Sequence, residues 1–180
     1  MGTLVIHDTP DDWGKEIIRH LQTGNGEKLR FVDLSEKKIT SCIGCFYCWI
    51  RTPGLCRFRD DMDGILKEQI RSDRVLCLSP VTWGSYSPAM RTFQDRSLCL
   101  ALPFFRKING VTHHPPRYEN FPGTVLAGYG KDLSGEECEV FRHIGNRLSH
   151  NLYKEDTDVL ILQTQEDLPL LERALGGKEE

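Results

Sequence analysis

Residues 74–88 read Arg74-Val75-Leu76-Cys77-Leu78-Ser79-Pro80-Val81-Thr82-Trp83-Gly84-Ser85-Tyr86-Ser87-Pro88, and the order of residue types along this stretch decides the fold. Val75 to Leu78 is an apolar run too short for a helix, the pattern of a strand buried on both faces. Ser79-Pro80 ends the run. A loop rich in hydroxyls follows, and Ser87-Pro88 supplies a helix N-cap and a first helical residue. Met90, Phe93 and Leu98 then mark one face of a helix.

The same alternation repeats outward in both directions. Leu4 to His7 reads as a first strand; Thr9-Pro10 opens a helix with Trp13, Ile17 and Leu21 on one face, which Gly24-Asn25-Gly26 stops. Leu29 to Leu34 is a second strand, and Asp60 with Asp63 caps a helix carrying Met62, Ile65, Leu66 and Ile70. On the other side, Thr124 to Ala127 forms a strand that closes on Gly128-Tyr129-Gly130. Ser134 and Glu137 make a capping box before Phe141, Ile144, Leu148 and Leu152. Asp158 to Leu162 is the last strand, followed by a helix over Leu168 to Leu175 and then Gly176-Gly177. Strands interleaved with helices predict an α/β fold, a three-layer sandwich whose five-stranded parallel sheet has the order 2-1-3-4-5 and helices on both faces. No repeat or linker interrupts the pattern, so a single domain is expected over 1–180, with a cysteine-rich loop at about 40–59 and an irregular insertion at about 103–121.

The chain has 180 residues, 39% hydrophobic and 27% charged, enough to bury a core without disulfides. A net charge of −3 with mixed signs gives no electrostatic footprint for nucleic acid. No apolar run approaches the ~20 residues that span a bilayer. Met1 leads straight into Thr3-Leu4-Val5-Ile6 without a basic segment or cleavage site, so a cytoplasmic location is expected. Seven cysteines in such a chain suggest metal ligands, redox groups or small core residues before disulfides.

In sheets of this kind ligands bind beyond the carboxyl ends of the strands, where strand order reverses. The candidate loops are 8–12, 79–87 and 128–134. The middle one offers hydroxyls, backbone amides near Gly84, and Trp83 and Tyr86 to flank a flat ring. The first loop, His7-Asp8-Thr9-Pro10-Asp11-Asp12, is acidic. Thr9 is its one hydroxyl, Pro10 has no N–H, and three carboxylates stand where a helix N-terminus would otherwise suit an anion.

From Gly44 to Arg96 the chain runs Gly44-Cys45-Phe46-Tyr47-Cys48-Trp49, Pro53-Gly54-Leu55-Cys56, Asp60-Asp61-Met62, the Ser79 to Ser87 loop, Met90-Arg91 and Phe93-Gln94-Asp95-Arg96. This succession resembles the NADPH-dependent FMN reductase family of the flavodoxin-like superfamily. The resemblance implies a flavodoxin-like fold, FMN across the loops after strands three and four, and NAD(P)H as hydride donor. Carried onto this chain, Pro80, Val81, Thr82, Trp83, Gly84 and Ser85 contact the isoalloxazine and ribityl chain. Gly128, Tyr129 and Gly130 close over the other side, and Thr9 is the hydroxyl at the phosphate end. It also implies a homodimer or homotetramer, with residues 103–121 at an interface or lid. The function implied is an FMN-dependent oxidoreductase passing electrons from NAD(P)H to a small-molecule or protein acceptor. The acidic first loop favours a different class: a non-enzymatic electron-transfer or binding protein of the same fold, with an iron–sulfur or other four-cysteine metal site and weak or absent flavin binding.

Cys42, Cys45, Cys48 and Cys56 have the spacing C-x2-C-x2-C-x7-C, and compact runs of this type ligate iron–sulfur clusters. The pattern resembles that of iron–sulfur flavoproteins, which hold a 4Fe–4S cluster next to FMN. A four-cysteine zinc site, metal-free thiols packed in a loop, and a redox pair such as Cys45/Cys48 are the competing readings. Cys77, Cys99 and Cys138 fall in regular elements and are expected to pack. His113-His114 suggests an interface or flap, and Asp95-Arg96 a buried or intersubunit ion pair.

Overall fold

The centre of the sheet is β3 (Arg74–Thr82), flanked by β1 (Thr3–His7) and β7 (Gly123–Tyr129) in parallel register. The outer strands are β2 (Leu29–Asp33) and β8 (Asp158–Leu162), giving the parallel order β2-β1-β3-β7-β8. In chain order of the five long strands this is 2-1-3-4-5, as the alternation of elements predicts. The computed structural model describes residues 2–24, 29–108, 110–152 and 157–176. The expected stops at Asn25-Gly26 and at Gly177, and the side chain of Leu152, lie outside the described residues.

Because successive side chains of a strand face opposite ways, β3 feeds two cores. Leu76 and Leu78 pack with Trp13, Ile17 and Leu21 of α1 (Asp12–Gly24) and Leu168, Leu171 and Leu175 of a C-terminal helix, Leu168–Gly176. Val75 and Cys77 face the other way. They meet Met62, Ile65 and Leu66 of α3 (Met62–Ile70), Met90 and Phe93 of α4 (Pro88–Arg96), and Phe141 of α5 (Gly135–Leu152). Between α1 and α3 lies the short α2 (Tyr47–Ile50), inside the cysteine-rich loop. The C-terminal helix is α6, and the Arg74 guanidinium donates to its terminal carbonyls at Ala174 and Leu175, a cationic C-cap reached from the sheet.

Three local expectations change. Strand β3 continues past Ser79-Pro80 to Thr82 and folds back as β4 (Ser85–Tyr86), pairing Val81 with Tyr86 and Thr82 with Ser85. The turn between them is Trp83-Gly84, with φ of 49° and 74°, the double positive φ that a tight two-residue hairpin needs. Helix α1 starts at Asp12 rather than at Pro10: Thr9 points its hydroxyl to His7, and Asp11 takes the capping role by accepting the Gly14 N–H at 2.8 Å. The 103–121 segment is not wholly irregular, since β5 (Arg106–Ile108) and β6 (Val111–His113) pair antiparallel across Gly110.

Candidate functional site

Strand order reverses between β1, which leads outward to β2, and β3, which leads to β7. The loop after β1 is tied down at this point. The Asp8 N–H donates to the Leu78 carbonyl at 3.1 Å, and His7 Nδ1 lies 3.1 Å from Thr9 Oγ1, both side chains buried. Burial lowers the His7 pKa against the raising influence of Asp33 and Asp8, so the imidazole is neutral at pH 7 and does not offset the nearby carboxylates. Tyr129 is 1% exposed and donates its hydroxyl to the Asp8 carbonyl at 3.1 Å, beneath the loop. Burial first, and then Asp11 and Asp8, push its pKa up and keep that hydroxyl protonated. A Cβ at residue 14 would stand 2.4 Å from the Tyr129 hydroxyl, so the start of α1 can lie on Tyr129 only because the residue there is Gly14.

The phosphate end therefore does not fit a dianion. Thr9 faces His7, Pro10 has no N–H, and the Gly14 N–H goes to the carboxylate of Asp11. Asp8, Asp11 and Asp12 surround the same helix start.

The ring end differs. Pro80, Val81, Thr82 and Ser85 are half-buried along the β3–β4 hairpin, and Trp83 at its tip is 90% exposed. Gly84 is buried against α5, where a Cβ would come 2.8 Å from Val140. Gly128 is wedged likewise between Phe141 and Val81, at 2.7 Å from each for a would-be Cβ. Gly130 donates to the Leu162 carbonyl at 3.1 Å. The hairpin thus rests on α5 with its outer edge and Trp83 presented to solvent. This platform can receive a flat ring, whereas Tyr129 points into the protein.

The cysteine loop is closed by a buried ion pair that sequence spacing misassigned. Arg96 bonds both carboxylate oxygens of Asp60, at 2.8 and 3.0 Å, and the Thr40 carbonyl at 2.5 Å. Asp60 also accepts the N–H groups of Thr40 at 2.9 Å and Met62 at 3.2 Å. Burial opposes ionisation of Asp60, but the Arg96 and Thr40 hydrogen bonds outweigh it and hold its pKa below the usual range. Asp95 turns away and pairs with Arg91 at 3.5 Å.

Within that closed loop the four cysteines separate. Cys42 and Cys45 are exposed, Cys56 is half-buried, and Cys48 is buried. The Cys48 thiol shares a hydrogen bond with Cys99, a residue expected only to pack. This bond, opposed by burial and helped by Arg117 and Arg96, draws the Cys48 pKa below the usual thiol range. Trp49 clamps the same spot: its indole N–H reaches the Leu98 and Ala101 carbonyls at 3.3 and 3.0 Å, and its ring lies 4.8 Å from that of His114. Nothing in the sequence marks Cys99 as the partner, since the pairing joins α2 to a helical turn about fifty residues away. Among the described residues no three His, Cys, Asp or Glu side chains converge to hold a metal ion. The loop as folded is not a preassembled four-thiolate cradle.

No family model matches the chain. The chain is 35% identical over 79 residues to the iron-sulfur flavoprotein MJ1083 of Methanocaldococcus jannaschii, a match covering 44% of this chain and 40% of that protein. It is 34% identical over 115 residues to the iron-sulfur flavoprotein MJ0731 of the same organism, covering 64% of this chain and 52% of that one. The chain thus spans about half, or less, of the length of these relatives. A solved FMN-dependent NADH-azoreductase from Bacillus anthracis, in complex with FMN, superimposes with a TM-score of 0.58 at 12% identity, over 98% of this chain and 95% of that one. The fold is flavodoxin-like.

Proposed function

We propose that the chain is an FMN-dependent oxidoreductase that takes electrons from NAD(P)H and passes them to a small-molecule or protein acceptor, acting in the cytoplasm as a homodimer or homotetramer. The observation that carries this reading is the solvent-facing hairpin of residues 80–85, seated beside the point where strand order reverses. The sequence likeness to iron–sulfur flavoproteins and the fold shared with an FMN-dependent NADH-azoreductase support it. The flavin supplies the two-electron chemistry when bound. The chain's own residues would do the holding: Pro80, Val81, Thr82, Trp83 and Ser85 would line the ring's side of the site, and Gly84 and Gly128 let the hairpin and α5 close together. The phosphate end contributes little, so FMN is held by its ring and ribityl chain. Titration of the purified chain with FMN, followed by NADH and NADPH oxidation, tests this. Quenched flavin fluorescence together with FMN-dependent turnover is expected; a chain that leaves flavin fluorescence unchanged sinks the reading in favour of a non-enzymatic carrier.

A 4Fe–4S cluster on Cys42, Cys45, Cys48 and Cys56 is supported by their spacing and by the relatives' names. It requires Cys48 to exchange Cys99 for metal. Anaerobic reconstitution should give about four irons per chain if the cluster forms and a metal-free protein if these are bare thiols.

A further inference from the structure

Cys48 of α2 and Cys99 of the helical turn Ser97–Leu100 stand thiol to thiol, with the Cys99 S–H donating to the Cys48 sulfur. The two segments that carry them are pinned together twice. The Trp49 indole N–H, one residue after Cys48, bonds the Leu98 and Ala101 carbonyls at 3.3 and 3.0 Å, which bracket Cys99. The Arg117 guanidinium donates to the Cys99 and Ala101 carbonyls at 2.9 and 3.2 Å. A Cβ at Gly54 would stand 3.1 Å from the Arg117 side chain, and the Gly54 N–H donates to the Cys48 carbonyl at 2.9 Å. Both thiols belong to buried residues, Cys48 at 9% and Cys99 at 2% exposure. Among the described residues no third His, Cys, Asp or Glu converges with them to hold a metal ion. Cys56 and the Arg96 guanidinium lie close enough to act on Cys99 electrostatically, which makes Cys56 the competing partner to be separated by experiment.

From this arrangement we propose that Cys48 and Cys99 form a modification site, a dithiol that small hydroperoxides oxidise to an intramolecular disulfide. Two sulfurs in hydrogen-bond contact have a short distance left to close to the ~2 Å of a disulfide. Cys45, three residues before Cys48, is exposed and takes no part in the contact. Cys48 is the more exposed of the pair and meets the oxidant first. Its sulfur attacks one oxygen of hydrogen peroxide; the O–O bond breaks, leaving a sulfenic acid on Cys48 and one water. The Cys99 sulfur then attacks Cys48, the S–O bond breaks, the S–S bond forms, and the hydroxyl leaves with the Cys99 proton as a second water. The two thiols together lose two electrons and two protons, and the peroxide takes them up. The bond ties the cysteine loop to the turn at Cys99 and withdraws Cys48 from metal ligation, so the disulfide and a four-cysteine cluster exclude one another. The site shares no residue with the three loops at the carboxyl edge and does not depend on flavin.

The test treats the full chain, as purified and after chelation of any bound iron, with hydrogen peroxide in small excess. Alkylation of the unfolded product, proteolysis and mass spectrometry then map the bonds. The chelated chain is expected to lose two of its seven thiols and to yield peptides joined through Cys48 and Cys99, which dithiothreitol separates. Cys45→Ser and Cys56→Ser should leave that joined pair in place. Cys99→Ser should stop at a Cys48 sulfenic acid, trapped with dimedone. If that variant fails to fold, the map of the unaltered chain decides alone. Disulfides that omit Cys48 or Cys99, or recovery of both as alkylated thiols after peroxide, overturn the proposal. The readout is a bond between two sulfurs, so a chain that fails to bind FMN leaves the proposal standing, and a chain that binds FMN but forms no such bond overturns it alone.

Discussion

Asp11 serves two opposed ends. Its carboxylate caps α1 through the Gly14 N–H, yet it places a negative charge where an FMN phosphate would seek that same amide. Asp11→Asn keeps a capping side chain and removes the charge. The variant should bind FMN more tightly by about 1 kcal/mol, or roughly fivefold, with riboflavin affinity unchanged. Parallel fluorescence titrations of the two flavins check this, and an equal gain for both would refute the electrostatic explanation. Trp83 raises a complementary question. It sits at φ 49° with its ring 90% exposed, in a turn position that Asn or Gly occupies with less strain. Trp83→Asn should stabilise the fold by about 0.5–1 kcal/mol in urea denaturation and weaken flavin binding.

At the scale of elements, the cysteine loop hangs on Arg96 and Asp60. The Arg96 side chain is 1% exposed, so removing its partner leaves a buried, uncompensated charge. Asp60→Asn should cost about 3–5 kcal/mol in chemical denaturation. The sign of its pH dependence follows from the direction of the Asp60 shift. A carboxylate whose folded pKa lies below its unfolded value contributes stability above that unfolded value, near 4, and loses it as pH falls through the lower folded value. The gap between the native chain and Asp60→Asn should therefore be full at pH 7 and close only in acid below about pH 4. A gap that is constant down to pH 2 would mean that the carboxylate is not ionised in the fold. The helix starts teach a similar lesson about legibility. Ser87-Pro88 is visible in sequence and caps α4 through the Met90 N–H at 3.1 Å, whereas Thr9-Pro10 looks equivalent and does not cap α1. The difference is tertiary: His7 claims the Thr9 hydroxyl, so the helix begins two residues later at the next capping side chain.

For the molecule as a whole, the ring platform depends on how closely the sheet, the β3–β4 hairpin and α5 approach. Gly128 is the narrowest point, with Phe141 on one side and Val81 on the other. Gly128→Ala should destabilise the fold by about 1–3 kcal/mol and displace the hairpin, so that thermal midpoint and flavin affinity fall together. A fall in stability with unchanged flavin binding would separate the hairpin from the site.

The sequence by itself determined the five strands, their order and the helices on each face. Hydrophobic period, caps and turn residues are local signals, and right-handed crossovers leave few ways to assemble them. It also located the three loops at the carboxyl edge. Only the tertiary structure decided what those loops and the cysteines face. Tyr129 lies under Asp8, Arg96 chooses Asp60 over the adjacent Asp95, and Cys48 meets Cys99. Each of these depends on groups distant along the chain and on the low-dielectric interior that burial creates, where one missing or added partner fixes protonation, orientation and binding.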